Sequence, residues 1–306
     1  MEEVYIFGHK NPDTDTICSS IALEYIRKKM NENVKAYRLG DINKETEFAL
    51  NYFKVELPDY LEKIEKGQKV ILVDHNEFAQ SVDGIEDATV QMVIDHHRVF
   101  GFQTAEPLFY IAEPVGCTAT ILYELCVMNK IELNEQIAGL MLSAIISDTL
   151  LFKSPTCTVK DEKAAHELAN IANVNIEEYG MELLKAGTDL SSYSAEELIN
   201  IDSKSLGLEN GKIQVAQVNT VSIEDVLKNK AEIEAAMNKE IEEKGLDLFM
   251  LLITDILNCD SKCIALGKRT DSVEKAYGVT LVDNAALLKG VVSRKKQVIP
   301  VISENF

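Results

Sequence analysis

Three short apolar runs constrain this chain more than any other feature, because each stops on side chains that can hold a cation. Val4-Tyr5-Ile6-Phe7 runs into Gly8-His9-Lys10-Asn11-Pro12-Asp13-Thr14-Asp15, Val70-Ile71-Leu72-Val73 into Asp74-His75-Asn76, and Val90-Gln91-Met92-Val93-Ile94 into Asp95-His96-His97. A continuous apolar run reads as a parallel strand buried on both faces, and the chemistry of such sheets appears just past the carboxyl ends of the strands. Helical patterns follow over residues 16–30 and, beyond a longer loop, 117–128. Strands alternating with helices predict an α/β fold, a parallel sheet with helices on both faces.

A lone aspartate after a strand is commonly a turn or capping residue, and Asp13 and Asp15 can serve simply to start the helix near Thr16. The His96-His97 pair resists that reading, since adjacent imidazoles on extended chain point in different directions. Four of the five histidines lie in the three strand-end segments, and the fifth, His166, is expected to be exposed on a polar helix over 158–172. A further carboxylate, Asp148, closes an almost wholly apolar helix over 137–147. His9, Asp13, Asp15, Asp74, His96 and Asp148 are therefore candidate ligands. Oxygen donors mixed with imidazole, and no cysteine at ligand spacing, suit Mn²⁺, Co²⁺, Mg²⁺ or Fe²⁺ better than structural zinc. Six candidates suffice for two ions sharing carboxylates, and ions about 3.5–4 Å apart are the usual device for in-line displacement at phosphorus. Phosphoryl hydrolysis is the expected reaction class.

Ser293-Arg294-Lys295-Lys296-Gln297 concentrates cations in a chain of formal net charge −19. A surface this acidic repels phosphate anions, so a phosphate substrate needs cations that locally invert the field. The flanks, Gly290-Val291-Val292 and Val298-Ile299-Pro300-Val301-Ile302, read as β-rich runs, which predicts a strand or turn for the cluster. An isolated Arg-Lys-Lys would instead read as a solvated basic tail or an edge-strand guard.

With 306 residues, 46% of them hydrophobic, the chain is expected to form two domains, 1–188 and 195–306, joined by a polar linker over 189–194. The second should hold a helix from Ala195, strands over 213–218, 248–253 and 262–266, and one long charged helix from 223 to about 244. The metal ligands then fall on the first domain and the basic cluster on the second, which predicts an active site in the cleft between them. No run is apolar enough to span a bilayer and the start carries no basic region, so neither an anchor nor a secretory signal is expected. The six cysteines show no C-x-x-C pair, and Cys18, Cys117 and Cys126 read as small helical core residues, which favours a reduced cytoplasmic setting.

In order along the chain, Gly8-His9 with Asn11-Pro12-Asp13-Thr14-Asp15, then Val73-Asp74-His75-Asn76, Asp95-His96-His97, Ser147-Asp148-Thr149 and Ser293-Arg294-Lys295-Lys296-Gln297 resemble the manganese-dependent, family II inorganic pyrophosphatases of the DHH phosphoesterase superfamily. The resemblance implies a parallel-sheet DHH domain followed by a smaller α/β domain. It implies hydrolysis of inorganic pyrophosphate by a metal-bridged hydroxide at a pair of Mn²⁺ ions, with Co²⁺ as a substitute and additional Mg²⁺ arriving with the substrate. His9 and Asp13 would take one ion, Asp15 and His96 the other, with Asp74 and Asp148 as bridges. His97 matches a histidine beside the phosphate, Lys204, Arg294 and Lys295 match phosphate-binding cations, and Asp95 would steady the histidines. Thr16 stands where many relatives show serine, a change expected to have no consequence. A cytoplasmic homodimer is implied, with no nucleic-acid or membrane partner.

The nearest rival is another phosphoesterase of the superfamily, an exopolyphosphatase or a phosphodiesterase of very short RNA. A nuclease should offer stacking aromatics in the second domain. The chain has no Trp, and beyond residue 195 only Phe249, Tyr277 and Phe306 are aromatic. A regulatory binding protein that kept the fold without turnover would be expected to have lost a ligand, and the set here is intact.

Overall fold

The computed structural model describes residues 3–306 except Ser192 and Glu209; Ser192, within the expected linker, thus lies outside the described residues. The chain divides after Gly187 into two units. The first contains β1 (Val4–Phe7), α1 (Thr14–Lys29), β2 (Val34–Arg38), α2 (Lys44–Phe53), β3 (Asp59–Tyr60), β4 (Lys69–Val73), β5 (Thr89–Asp95), β6 (Phe109–Ala112), α3 (Thr118–Asn129), α4 (Glu135–Thr149), α5 (Val159–Ala172) and α6 (Ile176–Gly187). Its strands form one parallel sheet in the order β3-β2-β1-β4-β5-β6. The chain builds outward from β1 through β2 and β3, then returns to add β4 on the other side. The switch between β1 and β4 leaves a crevice outside their carboxyl ends, where open α/β sheets take their ligands.

Helix α1 packs on β1, β2 and β4, and α3 on β5. Helix α4 lies against α1, α3 and α5, so it is enclosed by other helices, which explains its nearly unbroken apolar sequence. On the opposite face, Phe7, Val70, Leu72 and Val93 pack against Ile64, Val82 and Ile85. The β4–β5 connection has no apolar stripe of helical period and forms only two short 3₁₀ turns, Phe78–Gln80 and Ile85–Asp87. The expected helical layer on this face is reduced to those turns and the loops around them.

The second unit contains α7 (Ala195–Leu198), β7 (Ser203–Leu208), β8 (Gly211–Thr220), α8 (Ile223–Leu227), α9 (Lys230–Lys244), β9 (Leu248–Asp255), β10 (Asp260–Gly267), α10 (Asp271–Tyr277), β11 (Ala285–Leu288) and α11 (Ile299–Asn305). Its sheet runs β11-β10-β9-β8-β7, with β8 and β9 parallel and the other pairs antiparallel. Every residue of β9 is buried, alternate side chains serving two apolar clusters: Phe249, Leu251 and Ile253 meet Ile233 and Met237 of α9, while Leu248, Met250 and Leu252 meet Val298, Ile302 and Phe306. Among the described residues no helix is long and apolar enough to cross a membrane.

In the second unit two further expectations are corrected. The single long helix over 223–244 is broken at Lys228-Asn229, because Asn229 leaves helical geometry and becomes the N-cap of α9. The β-rich run after the basic cluster is helical: Arg294–Val298 forms one π-helical turn that leads into α11. Residue composition misled there, whereas spacing did not. Val298, Ile302 and Phe306 recur every four residues and share one buried face, and Pro300 sits in the first helical turn, where its missing N–H leaves no intrahelical bond unmade.

Candidate metal centre

The carboxyl ends of β1, β4 and β5 are neighbours in the sheet, so the three strand-end segments meet. Gly8 lets β1 turn into α1 closely: a Cβ at this position would lie 2.4 Å from the Thr16 methyl carbon. Asp13 makes two contacts, one per oxygen. Its Oδ1 accepts from the Thr16 amide at 2.9 Å as the N-cap of α1, and Oδ2 lies 3.5 Å from His9 Nε2. Capping and ligation are thus not alternatives for this residue.

Asp74 occupies left-handed backbone geometry at the end of β4, with φ of 58°, a conformation most non-glycine residues avoid and a mark of sites the surroundings must enforce. Its amide is tied to the Ile94 carbonyl at 2.9 Å. Its carboxylate, 1% exposed, reaches in two directions: Oδ2 is 3.4 Å from His9 Nε2 and Oδ1 is 3.4 Å from His96 Nε2. Two hydroxyls fix it there, Thr16 Oγ1 donating to Oδ2 at 2.6 Å and Thr118 Oγ1 to Oδ1 at 3.2 Å. Asp15 is fully buried at the amino end of α3, where the Thr118 amide donates to Oδ2 at 2.7 Å and Ser19 Oγ to Oδ1 at 2.6 Å. Asp148, in the last turn of α4, lies 3.8 Å from His96 Nε2.

The histidines are sorted by their second nitrogens. His96 Nδ1 faces the Val115 carbonyl at 3.1 Å, so it carries the proton and leaves Nε2 turned to the carboxylates. His97 Nδ1 lies 2.9 Å from Asp95 Oδ1, which also accepts the His97 amide, while Asn76 donates to Asp95 Oδ2 at 2.6 Å. That leaves Nε2 of a ring that is 53% exposed to meet anything outside the cluster. His75 turns away: its Nδ1 faces the Val73 carbonyl and its Nε2 the Ser81 hydroxyl, and burial pulls its pKa down to about 4. His166 is exposed and stacks on Phe152.

Among the described residues, ligand atoms fall into three groups, each within 4.8 Å: His9, Asp13 and Asp74; Asp15, His96 and Asp148; and Asp74, His96 and His97. Their electrostatics are those of a site built for positive charge. Burial, then the Asp74 charge, push Asp15 up to about 7, and burial with the charges of Asp15 and Asp74 raises Asp148 well above the carboxylate range. Against burial, Asp74 is held well below that range by His9 and His96. Burial likewise opposes charge on the two imidazoles, yet Asp13 and Asp74 raise His9 to about 10, and chiefly Asp74 and Asp15 raise His96 to about 9. Crowded carboxylates that must recruit protons onto neighbouring imidazoles offer an anionic cage that divalent cations would balance, and the oxygen and imidazole donors fit a hard or borderline ion.

Within the second unit, Lys204 and Arg294 come together around Val215, which is the register partner of Lys204 on β7 and whose carbonyl lies 3.4 Å from Arg294 Nη1. The Arg294 guanidinium is also paired with Asp202 at 2.7 Å, and its Nε is buried without a partner. Lys295 is exposed on the π-helical turn. Gln217 accepts from the Arg294 amide at 2.8 Å, and Gln297 accepts from the Val292 and Ser293 amides, so two glutamines shape the basic loop. Sequence reasoning missed Gln217, Thr118 and the orienting part played by Asn76, and dismissed the Thr16 hydroxyl. The only local signal was a hydroxyl residue at the start of each of two helices, α1 and α3.

Residues 3–145 match the model for the DHH family, N-terminal domain, and residues 181–305 that for the DHHA2 domain. The manganese-dependent inorganic pyrophosphatase of Bacillus subtilis (strain 168) is 57% identical over 305 residues, 99% of each chain. A Bacillus velezensis protein named "Probable manganese-dependent inorganic pyrophosphatase" is 58% identical over the same share of both chains. A solved structure from Methanococcus jannaschii, provisionally assigned as a family II inorganic pyrophosphatase, matches with a TM-score of 0.64 and 43% identity, covering 98% of both chains. With both domain models matched in order and identity above half along nearly the whole length, the chain belongs to the DHH family, in the branch of the manganese-dependent, family II inorganic pyrophosphatases.

Proposed function

We propose that this chain hydrolyses inorganic pyrophosphate to two phosphates at a pair of Mn²⁺ ions. The observation that carries the reading is Asp74, whose two oxygens each lie 3.4 Å from a different histidine, His9 and His96. A carboxylate so placed can serve two ions at once. His9 and Asp13 would hold one ion and Asp15 and His96 the other, with Asp74 and Asp148 contributing to both. When bound, the ions would supply Lewis acidity and lower the pKa of a bound water towards neutrality. The hydroxyls of Thr16 and Thr118 keep Asp74 turned to both sides, and the Val115 carbonyl keeps the His96 Nε2 lone pair available.

His97 moves the proton. Its hydrogen bond with Asp95 is the first cause raising its pKa, which favours the protonated ring, whose Nε2 hydrogen can be donated to the oxygen that leaves with the departing phosphate. Asp95, held by Asn76, stabilises that protonated ring. Lys204, Arg294 and Lys295 neutralise the phosphates, Arg294 through a forked contact and the lysines as point charges. Co²⁺ substitutes for Mn²⁺ because the donor set has no thiolate, and Mg²⁺ accompanies the substrate as its counter-ion. We place the protein in the cytoplasm as a homodimer, in keeping with its family; the six free thiols agree with a reducing compartment. The exopolyphosphatase and short-RNA alternatives are not favoured.

Phosphate release from pyrophosphate, tripolyphosphate and a dinucleotide, measured side by side after chelation and reloading, tests the reading. Pyrophosphate should be preferred, with Mn²⁺ or Co²⁺ restoring more activity than Zn²⁺. Equal turnover of tripolyphosphate or the dinucleotide, or full recovery with Zn²⁺ alone, would contradict it.

A further inference from the structure

Glu45 stands in the first turn of α2, apart in sequence from every candidate ligand, yet its carboxylate joins two of the segments that carry them. Thr14 Oγ1 donates to Glu45 Oε1 at 2.8 Å, and Ser147 Oγ donates to the same oxygen. Thr14 lies between Asp13 and Asp15, and Ser147 directly precedes Asp148. One carboxylate oxygen therefore fixes the first turn of α1 to the last turn of α4, the turns that supply three of the candidate ligands. The anchor is itself held: Thr14 Oγ1 also lies 3.2 Å from Thr46 Oγ1, and the Thr46 amide donates to the N-cap Asn43 at 2.8 Å.

The other oxygen explains a glycine. Gly187 ends α6 in ordinary helical geometry, where alanine is intrinsically favoured. A Cβ there would lie 2.6 Å from Glu45 Oε2 and 3.0 Å from Glu45 Cβ. The carboxylate could swing away from such a methyl, but only by leaving its hydroxyls.

We propose that Glu45 is a positioning residue for the metal centre, setting the separation of Asp13 and Asp15 from Asp148, and that Gly187 is the space this arrangement requires. The proposal rests on reading the cluster as a metal site. Residues that orient ligands typically change metal affinity ten- to a hundredfold when removed.

The test is the Mn²⁺ affinity of the chelator-stripped full chain by calorimetric titration, with thermal denaturation alongside. Glu45→Ala should weaken binding about ten- to a hundredfold. Glu45→Gln, which keeps a carbonyl oxygen able to accept both hydroxyls, should stay within about threefold of wild type. Gly187→Ala should weaken binding despite the better helix former, and should add little in a Glu45→Ala background. Ser147→Ala, which cuts one tether and leaves the packing, should weaken binding severalfold and serves if Glu45→Ala does not fold. Wild-type affinity in Glu45→Ala, or in both Gly187→Ala and Ser147→Ala, would overturn the proposal alone. A wild-type chain that binds no Mn²⁺ would overturn the metal reading and the proposal with it.

Discussion

Replacing Arg294 tests the phosphate-binding half of the account, in which substrate would displace the partner that the guanidinium now holds. The guanidinium is already engaged by Asp202 at 2.7 Å, with the two side chains 16% and 56% exposed. An ion pair this accessible is worth about 0–1 kcal/mol. Charge-assisted hydrogen bonds to a phosphate are worth roughly 1.5–3 kcal/mol, so exchanging one anion for the other, at a mid-range ion-pair cost of about 0.5 kcal/mol, leaves about 1–2.5 kcal/mol in favour of substrate. Arg294→Ala should then lower kcat/KM by about 5- to 70-fold while Mn²⁺ content stays unchanged. Arg294→Lys should recover part of the loss, since an ammonium cannot make the forked contact. Asp202→Asn should free the guanidinium and lower KM by up to about fivefold, and this gain should vanish in the double variant with Arg294→Ala. Steady-state phosphate release across the four proteins of this cycle decides the matter. An unaffected Arg294→Ala enzyme would refute the contact with substrate. An Asp202→Asn gain that persists without Arg294 would show that Asp202 acts only as a nearby negative charge.

His97→Gln should keep its full complement of Mn²⁺ and lose about 10²–10⁴-fold in kcat; metal analysis showing a lost ion would make His97 a ligand. His75 sets a pH window for stability. Its neutral form is favoured in the fold, so its contribution is fully present above the ordinary 6.5 and is lost as pH falls toward about 4, below which no further loss follows. At about 1.4 kcal/mol per pH unit that window costs roughly 3 kcal/mol. Thermal denaturation of the metal-free chain should therefore depend more steeply on pH between 6.5 and 4 in wild type than in His75→Gln, and equal slopes would contradict the assignment.

The strand ends were legible in the sequence because burial and chemistry coincide there: an uninterrupted apolar run ending on Asp or His leaves few other readings. The residues that orient them were not. Thr16 meets Asp74 from 58 positions away, and the Thr118 amide reaches Asp15 across 103. A threonine at a helix start has an ordinary capping use that conceals its partner until the sheet order is known. Asp13 shows the opposite difficulty, since capping and ligation read as rivals in the sequence, whereas in the structure Oδ1 caps α1 and Oδ2 faces His9. In the second unit, β-branched Val298, Ile299, Val301 and Ile302 suggested a strand, but burial on the far side of β9 is decided by the fourfold spacing of Val298, Ile302 and Phe306. Glu45 and Gln217 left no trace in the sequence, because a single carboxylate or amide carries no period.

Metal stoichiometry tests the central claim most directly. The chain should be stripped by chelation, reloaded with Mn²⁺, passed through a desalting column and analysed for manganese, as wild type and as Asp74→Asn. Two ions per wild-type chain, with both weakened together in Asp74→Asn, is the result this account predicts, because Asp74 faces both His9 and His96 at 3.4 Å. One ion in wild type, or two tightly held ions in Asp74→Asn, would contradict it.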